Sequence, residues 1–118
     1  MKVYLAGPMT GYKDFNFPAF EKAAAQLRAE GHEVFSPAEK DQELYGADVN
    51  KSETGAHADA AAKGFSLRQA LSLDLQWICE EADAVAFLPG WERSAGANAE
   101  HRTAIALIPE GMQIIYLT

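Results

Sequence analysis

The stretch YLAGPMTG, residues 4–11, decides how the whole chain is read. Val3, Tyr4, Leu5 and Ala6 form a short apolar run with β-branched and aromatic members. It stops at Gly7-Pro8, the pattern of a buried strand meeting a turn. Gly7 and Gly11 allow a tight turn and a close backbone approach to a ligand, which a Cβ would obstruct. The run lacks both the lysine of a phosphate loop and the G-x-G-x-x-G spacing of a dinucleotide site. Taken alone, it reads as a plain strand-to-helix turn or as the floor of a crevice.

Outward from this strand, helical and extended patterns alternate. Pro18 suits a first helical turn and Gly31 the residue past a helix end. Between them Phe20, Ala23, Ala24 and Leu27 recur at helical spacing, as on a face laid against a sheet. HEVFSP (32–37) reads as a second strand, residues 66–82 as a helix and AVAFLP (84–89) as a buried strand. Residues 96–108 read as a further helix and MQIIYLT (112–118) as the last strand. Strands without a polar face, alternating with helices, predict a parallel sheet covered on both sides. The expected fold is a three-layer α/β sandwich of flavodoxin-like or Rossmann-like type, as a single domain over residues 1–118.

Composition limits the functions this fold could carry. At 118 residues the chain can bury one real core, and 48% hydrophobic residues exclude wholesale disorder. A net charge of −7 opposes tracking of a polyanionic nucleic acid, though not capture of a small nucleotide. No apolar run approaches the roughly 20 residues that span a bilayer. The single Cys79 excludes an internal disulfide and, without a signal peptide, points to a reducing cytoplasm. Cys79 itself reads as a small buried hydrophobe.

Residues 38–65 break the pattern. The segment is polar, carries three glycines and has few large apolar residues. A structureless connection of that length is uncommon in a compact domain unless it is functional. Residues 54–63 could form one short Ala-rich helix ending at Gly64. The segment therefore reads as a lid over a site or as a solvated excursion.

In open parallel sheets ligands bind beyond the carboxyl ends of the strands. That rule sets Gly7, Pro8, Met9, Thr10 and Gly11 on the same edge as residues 88–96. Two carboxylates then give the edge chemistry. Leu67, Leu71, Asp74 and Ile78 fall within an arc of roughly 60° on a helical wheel, which puts Asp74 on the buried face. Glu100 likewise falls between Ala104 and Leu107 on the apolar side of its helix. Unpaired buried carboxylates are costly, so each needs a partner or a function. Two of them aimed inward from neighbouring helices favour a site suited to acid/base work or glycosyl transfer. Asp83, between a helix end and a strand start, reads as structural.

YLAGPMTG, the Asp74 helix with EEADAVAFLPGW, and SAGANAEHRTAIAL together resemble the nucleoside 2-deoxyribosyltransferase superfamily. The opening and NFPAFEKAAAQLRAEGHEVFSPAE are similar to a small uncharacterised phage and bacterial branch of it. The resemblance implies a glutamate nucleophile at Glu100 and an aspartate near the base at Asp74. It also implies a tyrosine that orients the nucleophile, at Tyr4. Glu100-His101-Arg102 stands where those relatives carry Glu-Leu-Gly. The implied activity is hydrolysis or transfer at the N-glycosidic bond of a nucleoside or its 5′-monophosphate, without metal or organic cofactor. Two other readings remain: capture of a nucleotide or nucleotide-derived signal without cleavage, and a purely structural role. Relatives share sites across subunits, so a homodimer or larger homo-oligomer is expected, with no nucleic-acid polymer and no membrane as partner.

Ser94, Gly96 and Trp91 complete the candidate list. Relatives acting on free nucleosides carry an acid where Ser94 stands, and those acting on monophosphates carry a serine. A hydroxyl and free amides at a helix start make an anion site, with Arg93 beside it. Ser94 reads equally as a plain helix cap. Trp91 could stack on a base or sit at a subunit contact, whereas Trp77 reads as core or interface. His32, His57 and His101 show no metal-ligand spacing, and His101 reads as a surface residue.

Overall fold

The computed structural model describes residues 1–118. Four parallel strands, β1 (Lys2–Ala6), β2 (Glu33–Phe35), β3 (Ala84–Phe87) and β4 (Gln113–Tyr116), form one sheet in the order β2-β1-β3-β4. The five helices are α1 (Phe17–Ala29), α2 (Pro37–Tyr45), α3 (His57–Ala61), α4 (Leu67–Glu80) and α5 (Ala95–Ala106). The sheet is held in register from Val3 opposite Ala84 to Ala6 opposite Phe87, with Tyr4 beside Phe35 on the other flank. This is the expected α/β sandwich.

Period-two alternation in β1 and β3 builds both faces of the sandwich. Val3, Leu5, Ala84 and Ala86 pack with Phe20, Ala24 and Leu27 of α1. Tyr4, Ala6, Val85 and Phe87 point the other way, against Ile78 of α4 and Ala104 of α5. Each fully buried side chain of this size, such as Phe20, contributes about 1.5–3 kcal/mol. Asp83 closes the amino edge of the sheet: its carboxylate accepts from the Lys2 amide at 2.8 Å. No helix is long and apolar enough to cross a membrane.

Three expectations need correction. Residues 38–65 are not one continuous loop or solvated excursion: two helices flank a loop at residues 46–56. Pro37–Tyr45 is a nine-residue helix, and a shorter one covers His57–Ala61 rather than residues 54–63. Ala38, Val49 and Ala60 from this segment enter the core beside α1. Cys79 is exposed, because it falls on the outer side of α4 next to the buried Ile78. Leu67 is 56% exposed: at the first turn of α4 the face that buries Asp74 and Ile78 has run past the sheet.

The β2-β1-β3-β4 order makes the chain step from β1 out to β2, then cross back to β3. The connections leaving β1 and β3 therefore depart to opposite faces and leave a crevice between them at their carboxyl ends. Every candidate residue is to be judged by its relation to that crevice.

Candidate functional site

A crevice of about 860 Å³, its open mouth included, lies at this point. Gly7, Met9 and Thr10 from the loop after β1 form one border, and Ser94, Gly96 and Ala97 from the start of α5 another. Asp74 and Glu100 both line it. Gly7 is fixed by packing: a Cβ there would stand 2.8 Å from the Leu88 Cβ, so the first and third strand ends could not lie so close.

Tyr4 stands behind the crevice, fully buried on β1. Its hydroxyl donates to Glu100 Oε2 at 2.7 Å and faces Asp74 as well. Desolvation, reinforced by the Glu100 charge, holds the phenol well above its ordinary range, so it keeps its proton and can donate it in a hydrogen bond. Glu100 is 6% exposed and Asp74 8%. Burial pushes Asp74 up to about 7 and Glu100 up to about 8, while the Tyr4 hydroxyl opposes both shifts by stabilising the ionised forms.

A third carboxylate shares the crevice, and the sequence reading missed it. Asp41, on α2, is 8% exposed and lines the same space. Burial and the neighbouring Asp74 charge push it up to about 7. Its signal was Ser36-Pro37 as a helix start, with Pro37 and Asp41 one turn apart on one face. Reading Pro37 as the end of a strand hid that helix. The three carboxylates and the histidines nowhere group closely enough to hold a metal ion.

The aromatic lining was also unforeseen. Phe15, Phe17 and Phe65 border the crevice, with Val49 and Leu71. Phe15 is delivered by three consecutive left-handed residues, Asp14, Phe15 and Asn16, at φ 51°, 51° and 64°. Such a run is disfavoured for L-residues. Two polar contacts hold it: Asn16 Nδ2 donates to the Pro8 carbonyl at 3.0 Å, and the Ser52 amide donates to Asp14 Oδ1 at 3.0 Å.

Other candidates lie elsewhere. Pro8 is buried beneath the loop and Gly11 turns at φ +88° on its outer side, so neither borders the crevice. Trp91 is outside it too, packed over Phe87 at 5.0 Å and His101 at 4.3 Å. His101 is half-buried rather than a free surface group, and its Nε2 pairs with the Tyr116 hydroxyl at 2.8 Å. Ser94 caps α5, its Oγ accepting from the Ala97 amide at 3.2 Å. Arg93 turns to the Tyr12 hydroxyl at 3.4 Å and is not part of the lining.

Fold and crevice define a flavodoxin-like α/β protein with a tyrosine-supported carboxylate cluster at its topological switch point. The chain belongs to the DUF4406 family, a domain of unknown function, which it matches over residues 1–116. No curated protein and no solved structure matches it.

Proposed function

We propose that the protein acts on the N-glycosidic bond of a nucleoside 5′-monophosphate or related nucleotide, by hydrolysis or transfer, in the cytoplasm. The observation that carries this reading is the Tyr4–Glu100 hydrogen bond at 2.7 Å beside Asp74. Tyr4 occupies Oε2 and leaves Oε1 for attack on C1′. As the new C–O bond forms, the C1′–N bond breaks and its electron pair passes to the base. Asp74, which titrates near neutrality, gives the leaving nitrogen its proton. Water or a second base then displaces Glu100 from the glycosyl ester. Positive charge develops on the sugar along this path, and a crevice lined by carboxylates with no lysine or arginine is suited to stabilise it.

The same reaction is what the sequence's resemblance to the nucleoside 2-deoxyribosyltransferase superfamily implies. The phosphate would lie at the amino end of α5, where Ser94 and Gly96 border the crevice. One feature favours the second reading, binding without cleavage: burial pushes Glu100 up to about 8, which disfavours the ionised form a nucleophile needs. A panel of nucleosides and their 5′-monophosphates, resolved by chromatography for free base, separates the two. Release of base supports the enzyme; thermal stabilisation without release supports capture. Neither signal with any member would end both readings.

We also take the protein to be a homodimer or larger. Ile105 on α5, Ile108 in the turn after it and Tyr116 on the edge strand β4 all stand more than 40% exposed. A monomer by light scattering at micromolar concentration would contradict this assembly.

A further inference from the structure

The catalytic scheme above gives Asp41 no task, yet its environment demands one. The residue is more than nine-tenths buried, and no protein N–H or O–H group hydrogen-bonds its carboxyl. It lines the crevice on the α2 side, where the Asp74 charge acts on it. Its oxygens are not sealed from solvent as the Ser36 Oγ is; they open onto the crevice, where no lysine or arginine answers their charge and an incoming ligand would strip them of water. Much of the remaining lining is apolar, with Phe15, Phe17 and Phe65 in it, beside the polar Thr10, His57 and Ser94. A ligand complementary to such a place is planar, stacks on aromatic rings and presents N–H donors at its edge.

The geometry points to Asp41 as the specificity-determining acceptor for a nucleobase that bears an exocyclic amino group. This rests on the reading of the crevice as a nucleoside site and adds which bases it selects. An ionised aspartate only accepts hydrogen bonds, so it pairs with an amino group and is repelled by a carbonyl oxygen in the same position. A base whose amino group is replaced by hydrogen leaves the carboxylate without its donor. Buried groups left unpaired in this way give the steepest discrimination a polar site can achieve.

The test uses two nucleosides that differ in that one group: 2′-deoxyadenosine and purine 2′-deoxyriboside. Affinities are measured calorimetrically on the alkaline side of the Asp41 titration. The wild-type protein is expected to prefer deoxyadenosine by about tenfold or more, the value of one hydrogen bond to a charged group. Asp41→Leu, close in shape and free of the unpaired carboxyl, should bring the two affinities together while melting no lower than wild type. Asp41→Asn keeps one acceptor and should retain part of the preference. It also serves if the leucine variant does not fold. Equal binding of both nucleosides by the wild type, or an undiminished preference in both variants, overturns the assignment and leaves the nucleoside reading intact. Binding of neither nucleoside, nor of either 5′-monophosphate, by the wild type overturns both.

Discussion

The crevice has two walls of different origin. One comes from β1, β3, α4 and α5, where alternating apolar residues dictate which side chains face inward. The other comes from residues 37–65, where apolar residues are sparse and backbone contacts dictate the shape. Gly11 donates to the Gly55 carbonyl at 2.9 Å and Asp14 to the Ser52 carbonyl at 2.6 Å. The Ser52 hydroxyl then accepts from the Gly55 amide and donates to Asp59. A wall can therefore be as fixed as the core without a hydrophobic pattern, provided its polar groups are mutually satisfied.

The largest expected effect lies on the patterned wall. Glu100→Ala removes the proposed nucleophile and should lower base release by about 10³-fold or more, some 4 kcal/mol of barrier. Substrate binding should persist, because the apolar lining is unchanged. An unaltered rate would take Glu100 out of the chemistry and leave Asp74 or Asp41 to replace it.

The next test addresses the unpatterned wall. At Gly55, φ is +69° and a Cβ would run into the Tyr12 backbone oxygen. Gly64 has φ +93° with open space around it. Gly64→Ala should cost about 1 kcal/mol, the left-handed penalty alone. Gly55→Ala should cost about 3 kcal/mol or more in urea denaturation, because backbone cannot yield as a flexible side chain can. Equal costs would mean that residues 37–65 lie loosely on the domain, and the contrast between the walls would shrink.

A third test couples the walls through their charges. Asp41, Asp74 and Glu100 all titrate higher in the folded protein than the ordinary carboxylate range near 4. Between about pH 4 and 8 the folded state thus holds more protons than the unfolded one, so stability falls as pH rises through this window. Below it, both states are protonated and the burial of charge costs nothing. Asp41→Asn removes one contributor from the unpatterned wall and should reduce the loss between about pH 5 and pH 9 by about 2 kcal/mol. Identical stability profiles for the variant and the wild type would show that Asp41 ionises as freely in the fold as outside it.

The same division explains what the sequence disclosed. Asp74 and Glu100 were legible because a carboxylate on an apolar helical face violates a period, and a violation is visible; Tyr4, an ordinary strand residue by pattern, was singled out only by the family resemblance. Asp41 violates nothing, since PAEKDQELY is polar nearly throughout. Its burial comes from the position of α2 against α1 and α4, which no local pattern encodes. Trp91 misled for the converse reason. An aromatic residue after a strand points to a ligand, but the rings that meet the crevice, Phe15, Phe17 and Phe65, depend on a left-handed turn and on the far wall.

The smallest expected effect sits where the patterned wall meets the mouth of the crevice. Ser94 already accepts a hydrogen bond from the Ala97 amide, so its hydroxyl is engaged as a cap. Attraction for a 5′-phosphate then rests on the remaining free amides of the first turn and the helix dipole, worth about 0.3–1 kcal/mol. Arg93, held at Tyr12, adds nothing at that distance unless it swings inward. Three carboxylates in the same crevice oppose the anion. A nucleoside monophosphate should accordingly bind only about two- to fivefold more tightly than its nucleoside. Ser94→Asp is the informative variant, because aspartate caps a helix as well as serine and leaves the fold intact. Its negative charge occupies the dipole end and should abolish or invert the preference. If Ser94 serves only the helix, the ratio of the two affinities will be the same before and after the substitution, and the phosphate must be sought at another edge of the crevice.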